Sequence, residues 1–129
     1  MFGKRLVHLV TLALLLPPLL PAAPALAAAK PTAVGQCVHT TIKAKESRLE
    51  GMPDSGDAVV YANGLYGVSY ERVPGLRTAR AGDRVRLCLT SVPQDCPPGD
   101  ERGKTYKATD LRTQKSWELP DAEHMCGGA

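Results

Sequence analysis

The four cysteines constrain this 129-residue chain more than any other feature, because of the segment that precedes them. Met1 to Arg5 carries Lys4 and Arg5, Leu6 to Leu16 is apolar apart from His8 and Thr11, and a proline-rich stretch leads to Ala25-Leu26-Ala27. Basic, apolar and small-x-small segments in that order have the layout of a secretory signal peptide. A spanning helix would need roughly 20 apolar residues without breakers, whereas Pro17, Pro18, Pro21 and Pro24 interrupt this one. The expected organisation is a signal peptide over 1–27, a flexible leader over 28–36 and a single β-domain over 37–129. Its expected location is exported, periplasmic or secreted, with no stable membrane span after cleavage.

Cys37, Cys88, Cys96 and Cys126 all fall in the exported part. An even count in a small exported domain reads as two disulfides, and spacing alone leaves three pairings open. The preferred pairing joins Cys88 to Cys96 across a short loop and Cys37 to Cys126 at the domain ends. Alternation places Cys37 and Cys88 away from the apolar faces of their own strands. Covalent help matters because the only Phe, Phe2, leaves with the signal, so the core rests on aliphatic residues, four Tyr and Trp117. Loss of Lys4 and Arg5 takes the net charge from +3 to about +1, which leaves no strong field toward nucleic acid or membrane.

Hydrophobic period 2 dominates the rest. Residues 37–49 read as one long strand, able to bend and serve two sheets. Asn63-Gly64 between β-forming runs predicts a two-residue hairpin loop. That register places Tyr61 opposite Tyr66 and gathers Val59, Tyr61, Tyr66, Val68 and Tyr70 on one face. Residues 50–56 read as a turn or loop and 73–81 as a connection. Residues 84–91 form a strand with Val85, Leu87 and Leu89 inward, and 105–111 and 116–119 form a second hairpin. With about six strands and no convincing helix, the expected fold is all-β: a small five- to six-stranded barrel or sandwich, OB-like or SH3-like, stabilised by disulfides.

No catalytic motif occurs: there is no Gly-x-Ser-x-Gly, Ser-x-x-Lys, His-Glu-x-x-His or Gly-rich phosphate loop. His39 and His124 could serve as bases only beside an activated partner. His124-Met125-Cys126 with His39 could suit soft copper, but an exposed histidine beside a bridged cysteine fits the same residues. No catalytic residue, metal or cofactor is therefore assigned. Two features point to binding instead. Tyr61, Tyr66 and Tyr70 would form a stacking platform if they face solvent, whereas facing inward, the more common arrangement, they supply the aromatics of a Phe-free core. Arg84 and Arg86 share a strand face within a cation-rich 72–117 segment, which as a solvated outer face would be partly neutralised by the acidic tail. The expected function is a non-catalytic binding or inhibitor-like module. The alternative is a carbohydrate- or polyanion-binding domain using the tyrosine face and the arginines. The partner would be an envelope or extracellular protein or a glycan, met by a monomer.

Four C-terminal segments carry a resemblance: Val85-Arg86-Leu87-Cys88-Leu89, Cys96-Pro97-Pro98-Gly99-Asp100, Trp117-Glu118-Leu119-Pro120-Asp121 and His124-Met125-Cys126-Gly127-Gly128. Together they resemble a group of small uncharacterised exported bacterial proteins ending in a WxLPDxxHxCGG segment. The resemblance implies bacterial export and transfers no activity, ligand or site residue.

Overall fold

The computed structural model describes residues 29–128 together with Gly3, Pro18 and Leu19; the remainder of the expected signal peptide lies outside the described residues. Alternating apolar residues produce six strands: β1 (Cys37–Leu49), β2 (Met52–Tyr61), β3 (Tyr66–Val68), β4 (Arg84–Ser91), β5 (Thr105–Asp110) and β6 (Ser116–Pro120). They form one antiparallel sheet in the order β3-β2-β1-β4-β5-β6. The sheet is not closed, but it curls until its edges face one another. A Cβ on Gly67 of β3 would lie 3.2 Å from the Leu119 side chain of β6. The fold is thus all-β, disulfide-stabilised and sandwich-like.

Strand β1 serves both halves, as its length suggested. Cys37–Thr41 pairs with β4, and Ile42–Leu49 pairs with β2 across register shifts at both ends of the ladder. The inward side chains of both halves meet in one core: Ile42, Val59, Tyr61, Val85, Leu87, Leu89, Tyr106, Ala108, Trp117 and Leu119 are all buried. Burying each large aliphatic side chain contributes about 1.5–3 kcal/mol relative to exposure. One buried polar bond crosses this core, with Trp117 Nε1 donating to Tyr61 Oη at 2.8 Å. Burial pushes the Tyr61 hydroxyl pKa up to about 12, against a smaller lowering from the Trp117 bond.

Two segments differ from the sequence reading. The 73–81 connection contains a five-residue helix, α1 (Pro74–Thr78), with Pro in its first turn. It is too short to show a helical period, and Val73, Leu76 and Ala79 bury against the core. Strand β2 also begins earlier than expected, at Met52, directly after the Glu50-Gly51 turn. Pro53 is tolerated there because β3 pairs only with Ala58 to Val60, so the start of β2 is a sheet edge.

The disulfide pairing is corrected: the bridges are Cys37–Cys88 and Cys96–Cys126. Cys37 and Cys88 are direct cross-strand partners, with Cα atoms 4.0 Å apart. Both point off the apolar face, as alternation required, and the β1–β4 register brings them to each other. Cys96 and Cys126 then join the 92–104 loop to the C-terminal tail. That junction also carries Asp100 Oδ2 accepting from Gly127 N at 2.9 Å, and Cys126 N donating to Arg102 O at 3.0 Å. No cysteine among the described residues is free, a pattern that belongs to an oxidising, exported environment.

Candidate binding surface

The expected tyrosine face does not form, because the hairpin register differs by one residue. Val60 pairs with Tyr66, Val59 with Gly67 and Ala58 with Val68. Gly64 N donates to Tyr61 O, and Tyr61 N to Leu65 O, both at 2.9 Å. The loop therefore holds three residues, Ala62 to Gly64, with Gly64 at φ +84° and Asn63 Oδ1 accepting from Leu65 N at 3.2 Å. A turn followed by a left-handed glycine is the common three-residue alternative to the two-residue loop. A one-residue slip exchanges the faces of a strand. Val59 and Tyr61 share the core face, and the slip places Tyr66 and Val68 on the opposite face, beside Val60 and Ala58. Tyr66 is half-buried and Tyr70 is 56% exposed.

Tyr66 and Tyr70 instead border a local clamp around Arg48. The Arg48 guanidinium lies 4.3 Å from the Tyr70 ring centre, donates to Ser55 O at 2.7 Å and reaches Glu123 Oε1 at 3.4 Å. Tyr70 Oη lies 3.4 Å from Glu123 O. Burial raises the Tyr66 hydroxyl pKa, helped by Glu123 and Glu46 and opposed by Arg48. One face of the exposed ring is therefore already occupied by a cation of the protein itself.

The cationic segment sorts more sharply. Arg72 pairs with Asp54, Arg102 with Asp100, Lys104 with Glu101 and Arg112 with Asp83. Arg112 holds the Asp83 carboxyl well below the usual range, and Arg102, with Gly127 N, does the same for Asp100. Arg84, Arg86 and Lys107 enter no ion pair with a described residue. All three are exposed on the outer face of the β1–β4–β5–β6 half.

Register orders that face into rows. His39, Arg86, Thr109 and Ser116 are successive cross-strand partners, and Cys37, Cys88, Lys107 and Glu118 form the next row. Thr41 stands opposite Arg84. The Thr109 and Ser116 hydroxyl oxygens are 2.8 Å apart, and Glu118 Oε1 of β6 accepts from Thr90 Oγ1, near the end of β4, at 2.8 Å. Arg84 and Arg86 project about 7 Å apart along β4. A shallow depression of about 230 Å³ beside Arg84 is lined by His39, Thr40, Thr41, Ala62 and Arg84. These are the two arginines singled out from the sequence, joined by Lys107 and three hydroxyl residues that only the register could add.

The histidines stand apart from any acid–base pair. His39 belongs to the exposed face and His124 to the exposed tail, and neither hydrogen-bonds a carboxylate among the described residues. Cys126 is bridged, so the His124-Met125-Cys126 run offers no thiolate. Among the described residues no cluster of three or more His, Cys, Asp or Glu could hold a metal ion. No helix among them is long and apolar enough to cross a membrane.

Fold and surface together define a small disulfide-bonded β-domain with one cationic, hydroxyl-bearing sheet face. Comparison with known protein families, curated proteins and solved structures gave no match.

Proposed function

We propose that this protein is an exported, non-catalytic binding module, released to the periplasm or the medium after its signal is cut. Its partner on this reading is an anionic polysaccharide, held on the outer face of β1–β4–β5–β6. The observation that carries the reading is the row geometry of Arg84, Arg86 and Lys107, three exposed cations without intramolecular partners among described residues. Thr41, Thr109 and Ser116 supply hydroxyls between them for sugar hydroxyl or carboxylate groups. Nucleic acid fits less well, because single-strand binding relies on stacked aromatics and the exposed tyrosine belongs to the Arg48 clamp on the other half. The Cys37–Cys88 bridge ties two strands of this face covalently, so little backbone ordering remains for binding to supply.

The test is retention of the processed, disulfide-bonded protein on immobilised heparin and polygalacturonate, with neutral dextran as control. Retention on the acidic matrices alone, weakening as salt rises through counterion release, is the expected outcome. Arg84→Glu combined with Arg86→Glu should abolish it without altering the unfolding midpoint. Equal retention of that variant, or retention on dextran, would overturn the assignment.

A further inference from the structure

A second concavity lies at one end of the curled sheet, where β1, β3 and β5 begin and β4 and β6 finish. It measures about 460 Å³, within the size range of small-molecule sites. Its floor is Leu65, Leu89 and Tyr106, which are 8%, 1% and 6% exposed. The leader crosses its rim. Asn63 Nδ2 donates to Ala29 O at 3.4 Å, and Gln36 Oε1 accepts from Thr32 N at 2.6 Å. Pro31, between Lys30 and Thr32 in the lining, is buried. Lys30 thereby stands on the rim, with Arg102, Lys104, Glu101 and Asp121 contributed by the opposite end of the chain.

The rim charges are unequally committed. Asp100 occupies the Arg102 fork through two contacts of 2.9 Å. Asp121 Oδ1 accepts from Gly103 N at 2.8 Å. Lys104 reaches Glu101 only at 4.0 Å, and the Glu101 side chain is 83% exposed. Lys30 enters no ion pair with a described residue. Two ammonium groups are thus available over an apolar floor, while Asp121 is engaged and Glu101 is hydrated. Burial, Asp121 and Glu101 raise the Tyr106 hydroxyl pKa, so it remains a donor beside them.

We propose that this mouth binds a small amphiphilic anion, an alkyl or aryl carboxylate. Its apolar body lies on Leu65, Leu89 and Tyr106, and its carboxylate is met by Lys30 and Lys104. A hydrophilic anion gains nothing from the floor, and a neutral apolar molecule gains nothing from the lysines. The site shares no residue with the cationic sheet face and stands or falls independently of it.

The test is ¹H–¹⁵N NMR titration of the processed, disulfide-bonded protein with octanoate, octanol and acetate. Octanoate should give saturable shifts at the Leu65, Leu89 and Tyr106 amides. Octanol should bind the same amides about three- to fivefold more weakly, the contribution of one modest ion pair, and acetate should give no saturable shift there. Lys30→Gln, at an exposed position, should reduce the preference for octanoate, and Lys30→Gln combined with Lys104→Gln should erase it, with octanol affinity unchanged in both. Thr32→Trp should block both ligands by filling the rim. Absence of saturation, equal binding of octanol and octanoate, shifts confined to other regions, or a double variant that keeps the preference would each overturn the proposal.

Discussion

The two halves of the sheet keep their register by different means. In the β1–β4–β5–β6 half, side chains alternate cleanly: Val85, Leu87 and Leu89 are buried while Arg84 and Arg86 are exposed. The ladder is regular until the end of β4, and a disulfide joins direct partners. In the β1–β2–β3 half, backbone conformation does more of the specifying. Its ladder carries two register shifts, and Gly51, Gly56 and Gly64 all have positive φ. The outer surfaces differ in parallel: the regular half presents Arg84, Arg86 and Lys107, in no ion pair with a described residue, whereas the glycine-rich half presents Tyr70 already engaged by Arg48. A regular ladder makes a flat array of equivalent positions, and an irregular one makes local clamps.

The largest expected effect tests the covalent device. Replacing Cys37→Ala and Cys88→Ala together opens a loop spanning 51 residues. The chain-entropy model places its loss at about 4 kcal/mol. Urea unfolding of the double variant should show a loss of that order. A loss below about 1 kcal/mol would mean that side-chain alternation alone holds the regular half, erasing much of the contrast.

In the other half the comparable device is Gly56. Its φ is +115°, and a Cβ there would run into the Ser69 carbonyl oxygen and the Tyr70 backbone. Strain and clash together should cost Gly56→Ala about 3 kcal/mol. Gly51→Ala is the matched comparison, because Gly51 has φ +72° but open space around it; it should cost about 1–2 kcal/mol. Equal losses in denaturant titrations would show that backbone conformation alone, and not close approach, sets the register of β2.

The third effect probes the bond that joins the halves. Tyr61→Phe leaves the Trp117 indole N–H buried without its acceptor, at a cost of about 1–3 kcal/mol. The hydroxyl also gives the protein an alkaline limit. Its folded pKa of about 12 exceeds the unfolded value of about 10, so the native state holds the proton more tightly. The associated stability is complete below pH about 10 and is lost as pH rises from about 10 toward 12. Unfolding midpoints at pH 8, 10 and 11.5 should fall more steeply for the wild type than for Tyr61→Phe. Parallel curves would remove Tyr61 as the group responsible.

The same division explains what could be read from the chain beforehand. Strand β4 was legible to its ends because period 2 is a local property of Arg84 to Ser91. The outward direction of Cys37 and Cys88 was legible for the same reason, but their pairing was not, since it depends on β1 lying beside β4. Asn63-Gly64 announced the turn, but the two-residue loop read from it is a three-residue one, because Tyr61 rather than Ala62 closes on Leu65. The difference between two and three loop residues separated Tyr66 from Tyr61, which lies in the core. Arg84 and Arg86 were legible as neighbours, while Lys107, Thr109 and Ser116 joined them only through β5 and β6. The mouth left no local trace, because its walls come from residues 30–32, 65, 89 and 101–121.

The smallest effect separates the two outer faces from one another. Tyr70→Leu removes the ring beneath the Arg48 guanidinium and the hydroxyl near Glu123 O. A cation–π contact at a largely exposed ring contributes about 0.5–1 kcal/mol, so the unfolding midpoint should drop only slightly. The tail should respond more than the core, because Arg48 and Tyr70 both reach Glu123. Faster amide exchange at Ala122 to His124, with β4 and β5 unchanged, is the expected pattern. Retention on acidic polysaccharide should be unaffected, since the cations proposed for that role lie on the other half. Weakened retention in Tyr70→Leu would place the ring in the recognition surface and make the two halves one site rather than a binding face and a clamp.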